Sequence, residues 1–107
     1  MSKKIYNKLV RDKIPEIIRA DGKQLKIRVL DDAEHLEELI KKLGEEYEEF
    51  KEALNAEELA DLHEVLRALA DALGIDHDDL EKIRQDKAAK RGAFKQKIYL
   101  ESVKEVD

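Results

Sequence analysis

The segment KLGEEYEEFKEALNAEELAD, residues 42–61, contains eight acidic side chains in twenty positions. Apolar residues before and within it recur at steps of three and four, the spacing of one face of an α-helix. The stripe before Asn55 predicts an amphipathic helix of about 22 residues that starts near Asp32. The stripe after Asn55 predicts a second helix, which Asn55 caps and Gly74 ends. The segment therefore predicts two consecutive helices with a short connection between them.

Three short segments with alternating apolar residues predict minor β-strands. These segments contain Ile5, then Ile27 and Val29, and finally Ile98 and Leu100. A helix with Asp12 as its cap is predicted between the first two strands, and it ends at the Asp21-Gly22 turn. A further helix is predicted from a cap at Asp76 to Gly92. We expect a mainly α fold, an antiparallel helical hairpin bundle with minor short strands in the N- and C-terminal regions.

The composition favours one domain over residues 1–107, because single cores of about 100 to 150 residues are typical. With 44% of its residues charged, the chain has a modest core for its length, which favours association with further copies. The absence of cysteine excludes disulfides and thiolate metal sites and favours a cytoplasmic location. No apolar run is long enough to span a membrane.

Four carboxylates in the two helices are predicted to converge. Glu46 and Glu49 are three residues apart, as are Glu58 and Asp61. If the chain reverses near Leu54, Glu46 lies level with Asp61, and Glu49 lies level with Glu58. Two carboxylates 5 Å apart repel by about 3 kcal/mol at an effective dielectric of 20, so protonation or a cation must compensate. With oxygen ligands alone, Mg²⁺ is the favoured cation, and Mn²⁺ is the substitute.

An ordinary solvated surface also explains these acids. Asn55 and Glu58 have the spacing of a capping box, in which the glutamate reaches back to the N–H of the capping residue. Glu46 has the spacing to pair with Lys42, four residues earlier on the same helix. The pattern alone therefore leaves both interpretations open.

The motifs resemble a known superfamily. EEYEE at 45–49 followed by ELAD at 58–61 resembles the EExxE and ExxD motifs of the all-α nucleoside triphosphate pyrophosphohydrolases. This MazG-like superfamily includes phosphoribosyl-ATP pyrophosphohydrolase. YNKLVRDKIPEIIRADGK at 6–23, LEEL at 36–39 and KRGAF at 90–94 resemble its small house-cleaning branch. The two acidic motifs are closer together here than is common in the family, which leaves little room for the loop that often shapes the base pocket.

The resemblance implies a function for the four acids. Glu46, Glu49, Glu58 and Asp61 would ligate magnesium, which holds a nucleoside triphosphate while water attacks a phosphorus atom. The products would be a nucleoside monophosphate and pyrophosphate, and Glu49 is the candidate general base. Dimers or tetramers of the chain would complete the helical bundle.

Phosphate groups also need cationic donors besides a metal. The candidates are the basic residues of the two terminal motifs, Lys8, Arg11, Lys13, Lys90 and Arg91. Each of them could instead be solvated or paired with the acidic helices.

Two other functions are compatible with the sequence. The first is a catalytically silent helical oligomerisation or interaction protein of the same fold. The second is a nucleic-acid binder, which is disfavoured because the acidic residues 31–64 oppose a polyanion and few aromatic residues accompany the lysines.

Overall fold

The computed structural model describes residues 2–106, which are mainly helical, as the sequence predicts. The helices are α1 (Ile14–Ala20), α2 (Asp32–Ala53), α3 (Ala56–Ala72) and α4 (His77–Arg91). No residue from 2 to 106 lies in a β-strand, so the three predicted short strands are not present in this part of the chain. A strand is stable only when a neighbouring strand takes its backbone hydrogen bonds, and none of the three predicted segments has such a neighbour.

The helix boundaries follow from their capping residues. The Asn55 side chain accepts a hydrogen bond of 2.9 Å from the Glu58 backbone N–H and starts α3. The Asp76 side chain accepts from two N–H groups and starts α4, which ends at Gly92. Both caps confirm the prediction.

The predicted cap of α1 is wrong. The residue before α1 is Lys13 rather than Asp12, and it makes no capping hydrogen bond through its side chain. Pro15 stands in the first turn and has no N–H, so one of the two groups to which a capping side chain normally bonds is missing. The helix ends at the Asp21-Gly22 turn, as predicted, with Gly22 at φ 77°.

The chain reverses between α2 and α3. Only Leu54 and Asn55 separate α2 from α3, and the two helices pack against each other. Leu54 has left-handed backbone angles, φ 50° and ψ 47°, and its N–H donates to the Phe50 carbonyl at 2.7 Å. In one unbroken helix, residues 46 and 61 would lie about 22 Å apart along the axis. The reversal instead brings carboxylate oxygens of these two residues within 4.8 Å.

The described core is small. Its buried apolar side chains are Leu39, Val65 and Ala70. Each of α2 and α3 also carries an exposed apolar stripe, whose members follow one another at seven-residue steps and are 48–71% exposed. The α2 stripe is Ile40 and Tyr47 with Leu54, the residue that follows the helix, and the α3 stripe is Leu59 and Leu66 with Leu73, the residue that follows that helix. These stripes leave large apolar side chains unburied within the single chain.

The described residues form two compact units, one ending at Ile75 and the other beginning at Asp76. The first unit contains α1, α2 and α3, and the second contains α4 and the irregular segment after it. None of the described helices combines the length and the apolar character that crossing a membrane requires.

Candidate metal and phosphate site

Three of the four predicted acids lie together on the α2–α3 pair. Glu46 comes from the middle of α2, while Glu58 and Asp61 come from the start of α3. One carboxylate oxygen from each residue lies within 4.8 Å of the other two. Glu58 and Asp61 share a helix face because they are three residues apart, and the reversal at Leu54 places that face against Glu46. We call these three residues the acidic cluster.

Glu46 is buried, with only 7% of its surface exposed. Its Oε1 lies 3.6 Å from the Lys42 ammonium, so the predicted pairing with Lys42 is present. Its Oε2 is buried without a hydrogen-bond partner, and so is Oε2 of the half-buried Glu58. A buried carboxylate oxygen without a donor is costly. Each of these oxygens therefore suits a bound cation.

The pKa values of the two glutamates agree with the lack of donors at these oxygens. Burial raises the pKa of Glu46 above its ordinary value, and the nearby Glu49 carboxylate raises it further. The pKa of Glu58 is also raised, first by burial and then by the charges of Glu49 and Asp61. Each group thus holds a proton more readily than an isolated glutamate does.

Glu49, the fourth predicted acid, is exposed and lies outside the acidic cluster. It is nevertheless close enough to influence both Glu46 and Glu58 through its charge. Glu49 is thus a neighbour of the cluster with a solvated carboxylate.

The irregular segment before α1 brings basic residues to the acids. The Arg11 guanidinium Nη2 lies 2.7 Å from Asp61 Oδ1, and the Lys8 ammonium lies 3.8 Å from Glu45. These two predicted phosphate contacts therefore lie beside the acidic cluster. Lys13 precedes the first turn of α1 and is not one of the residues that line the adjoining pocket.

A pocket of about 280 Å³ lies between this N-terminal segment and the α2–α3 pair. Its lining combines apolar, basic and acidic side chains. The lining residues are Tyr6, Lys8, Val10, Arg11, Ile14, Lys42, Glu46 and Asp61. The pocket thus shares two carboxylates with the acidic cluster.

Lys90 and Arg91 lie in the last turn of α4, in the second compact unit. Within that unit Arg91 lines a separate pocket of about 330 Å³ together with Lys95 and Ile98. Contact of Lys90 or Arg91 with phosphate stays a prediction.

Sequence reasoning missed Lys42 and Tyr6 as residues of the pocket. The sequence predicts Lys42 only as an ordinary helical partner of Glu46, and it predicts no role for Tyr6. A signal for Lys42 existed in the sequence. It stands four residues before Glu46, on the helix face that carries the acid.

The donor set fits a hard divalent cation better than a solvated surface. The cluster offers three oxygen ligands with no histidine or cysteine, which is the chemistry that Mg²⁺ and Mn²⁺ prefer. The surface interpretation accounts for the Asn55 cap and the Lys42 pair. It does not account for the burial of Glu46 or for the two buried oxygens without donors.

Comparison of the chain with protein-family models, curated proteins and solved structures gives no match. Membership of the MazG-like superfamily accordingly stays a prediction from the motifs quoted above.

Proposed function

We propose that the protein is a magnesium-dependent nucleoside triphosphate pyrophosphohydrolase of the MazG-like type. It would convert a nucleoside triphosphate and water to a nucleoside monophosphate and pyrophosphate, as a house-cleaning enzyme for non-standard nucleotides. The observation that carries the proposal is the acidic cluster, in which three carboxylates meet and two buried oxygens have no donor. Its position beside a pocket with basic side chains supports a phosphate-bearing substrate.

In this proposal Glu46, Glu58 and Asp61 hold one or more Mg²⁺ ions. Bound magnesium would neutralise phosphate charge and acidify a coordinated water. Glu46 is fixed by its burial in α2, Glu58 lies in the first turn of α3, and Asp61 lies one turn further along the same helix. The three ligands are therefore positioned before substrate arrives, so little reorganisation is needed.

Glu49 is the proposed general base. Its carboxylate is exposed and is not one of the three clustered oxygens, so it can accept a proton from water. Its electrostatic influence on both Glu46 and Glu58 indicates that it lies beside the cluster. A base next to the residues that would hold the metal is well placed to take a proton from the attacking water.

The test is pyrophosphate release from a panel of natural and damaged nucleoside triphosphates, with and without millimolar Mg²⁺. We expect release from at least one triphosphate that depends on Mg²⁺ and that Mn²⁺ restores after the Mg²⁺ is removed by chelation. Glu48→Gln should release pyrophosphate as the parent protein does, because Glu48 is an exposed α2 residue that pairs with Lys51 at 3.0 Å. Release of no pyrophosphate from any member of the panel would contradict the proposal.

The exposed apolar stripes favour a homo-oligomer. Large apolar side chains at seven-residue steps are typical of helices that pack on further helices. We propose a homodimer or homotetramer in which α2 and α3 of different copies complete a helical bundle. The same stripes support a second candidate function, a catalytically silent helical oligomerisation or interaction protein, and the substrate panel separates the two.

Replacing Leu66 with glutamate is expected to weaken self-association at least about tenfold. Leu66 is in the middle of the α3 stripe, and an unpaired charge is costly to bury in an interface. Light scattering after size-exclusion chromatography measures the mass of the particle. Arg67→Glu changes the neighbouring residue and should leave the mass unchanged, because Arg67 is not part of either stripe. A parent protein that is monomeric at tens of micromolar would contradict the proposed assembly.

A further inference from the structure

The pocket between the N-terminal segment and the α2–α3 pair has an unusual charge arrangement. Three cations line it, and each of them faces an acid: Arg11 faces Asp61, while Lys42 lies between Glu45 and Glu46. Lys8 faces Glu45. Without a metal, acids therefore oppose all three cations, so the pocket has little net attraction for an anion.

A divalent cation at the acidic cluster changes this arrangement. Glu46 and Asp61 then give their charge to the metal, so Arg11 loses Asp61 and Lys42 loses one of its two opposing carboxylates, while Glu45 still faces Lys42 and Lys8. The pocket becomes more positive on the side next to the metal. Lys42 is already held in place, since its side chain is only 21% exposed. An ammonium restrained in this way loses little side-chain entropy when it binds a ligand.

The size of the pocket limits what it can hold. Pockets for complete small-molecule ligands span about 300–1,000 Å³, and this one is about 280 Å³. It suits a fragment of a nucleotide, and its three cations select the phosphate chain as that fragment. The other lining side chains, Tyr6, Val10 and Ile14, carry no charge and so do not repel the phosphates.

We propose that this pocket is a subsite for a phosphoanhydride chain, that it forms when a divalent cation occupies the acidic cluster, and that Lys42 is its principal contact. Lys8 and Arg11 complete the contacts with the phosphate oxygens. The inference rests on the proposed function for the metal and for the phosphate class, and it adds Lys42 as a binding residue. It also implies that recognition at this subsite depends on phosphate and not on the base.

The test is titration calorimetry of the full chain with inorganic pyrophosphate, with and without millimolar Mg²⁺. We expect binding only with Mg²⁺, and a loss of about tenfold in affinity for Lys42→Gln, the effect of one charge-assisted hydrogen bond. Lys41→Gln is the matched control, because Lys41 is the adjacent residue, is 71% exposed and pairs with Glu38 outside the pocket. Its affinity should stay within twofold of the parent protein.

A second readout separates a binding role of Lys42 from a structural one. The rise in melting temperature with Mg²⁺ alone should be at least as large in Lys42→Gln as in the parent protein, because Lys42 competes with the metal for Glu46. Lys8→Gln offers a second variant on the irregular segment, where loss of the helix is not at issue, and it should weaken pyrophosphate binding by a smaller factor. Equal pyrophosphate affinity in Lys41→Gln and Lys42→Gln would overturn the proposal.

The outcomes distinguish the subsite from the enzymatic function. Magnesium-dependent binding that needs Lys42, without release of pyrophosphate from nucleotides, would support the subsite and contradict the hydrolase. Hydrolysis with identical kinetics in Lys41→Gln and Lys42→Gln would support the hydrolase and contradict the subsite. Binding of an α,β-imido nucleoside triphosphate shows whether the phosphate chain belongs to a nucleotide. If Lys42→Gln also weakens binding of this analogue, the subsite holds the phosphate chain of a nucleotide. If it weakens binding of pyrophosphate alone, the subsite holds the free diphosphate.

Discussion

Replacing Glu46 with glutamine is expected to raise the melting temperature of the metal-free protein near neutral pH by about 4 °C. Glutamine keeps the shape of the side chain but removes a buried charge that lacks a donor at Oε2 and is repelled by Glu49. The expected rise corresponds to about 1 kcal/mol, the lower end of the cost of a buried unsatisfied polar group. Circular dichroism during heating with a chelator present measures it.

Magnesium should reverse the order of the two melting temperatures, that of Glu46→Gln and that of the parent protein. A ligand at about 100 times its dissociation constant stabilises the folded state by about 2.7 kcal/mol, so the parent protein should melt higher with Mg²⁺. Glu46→Gln lacks one of the three clustered ligands and should respond much less. Glu48→Gln, on the exposed side of the same helix, should respond as the parent protein does. An equal response of Glu46→Gln and the parent protein would contradict a metal site at the cluster.

The pH dependence of the metal-free protein follows from the same two glutamates. Because the pKa values of Glu46 and Glu58 are raised in the folded state, this state binds protons more tightly than the unfolded chain does. Their contribution to the free energy of unfolding is therefore greatest at low pH. It falls as the pH rises from about 4.5, the ordinary value, through the raised pKa values. Glu46→Gln should flatten this slope, and denaturant titrations at several pH values measure it.

Replacing Glu49 with glutamine is expected to lower kcat by about 10²- to 10⁴-fold, the usual contribution of a general base. The rise in melting temperature with Mg²⁺ should be largely kept, because Glu49 is exposed and lies outside the three clustered oxygens. Glu52→Gln, three residues further along α2 and also exposed, is the matched control. Steady-state kinetics on the best triphosphate of the panel and the melting curve are measured on the same samples.

Two results would contradict this role for Glu49. If Glu49→Gln keeps its activity, the base is another group. If it loses both its activity and its response to Mg²⁺, Glu49 is a metal ligand, as the family resemblance implies for all four acids.

The elements that local chemistry decides could be predicted from the sequence. Asn55 and Asp76 cap their helices because each offers a short side-chain oxygen to N–H groups of the following turn. The 22-residue length of α2 and the reversal after it follow from the apolar period and its break at Leu54. Counting residues outward from that break places Glu46 level with Asp61, and these two acids do meet, whereas Glu49, which the same count places level with Glu58, is not one of the three clustered acids.

Features that depend on tertiary context could not be predicted in this way. Alternation at Ile98 and Leu100 indicates a strand only if another strand pairs with it, and a sequence pattern does not show whether a partner is present. The burial of Glu46 depends on what packs over α2, which the helical period places only within a broad face. The pocket residues Tyr6 and Lys42 are 36 positions apart, and no local pattern joins them.

The two-residue connection at Leu54 and Asn55 makes the acidic cluster sensitive to chain length. Because so short a connection has no slack, adding one residue to the last turn of α2 would rotate the connection, and α3 with it, by about 100° and shift both by about 1.5 Å relative to Glu46. Glu58 and Asp61 would then turn away from Glu46 although every side chain of the cluster was still present. Substitutions over much of the surface leave this geometry intact, whereas a single-codon insertion or deletion in the last turn of α2 would disperse the cluster.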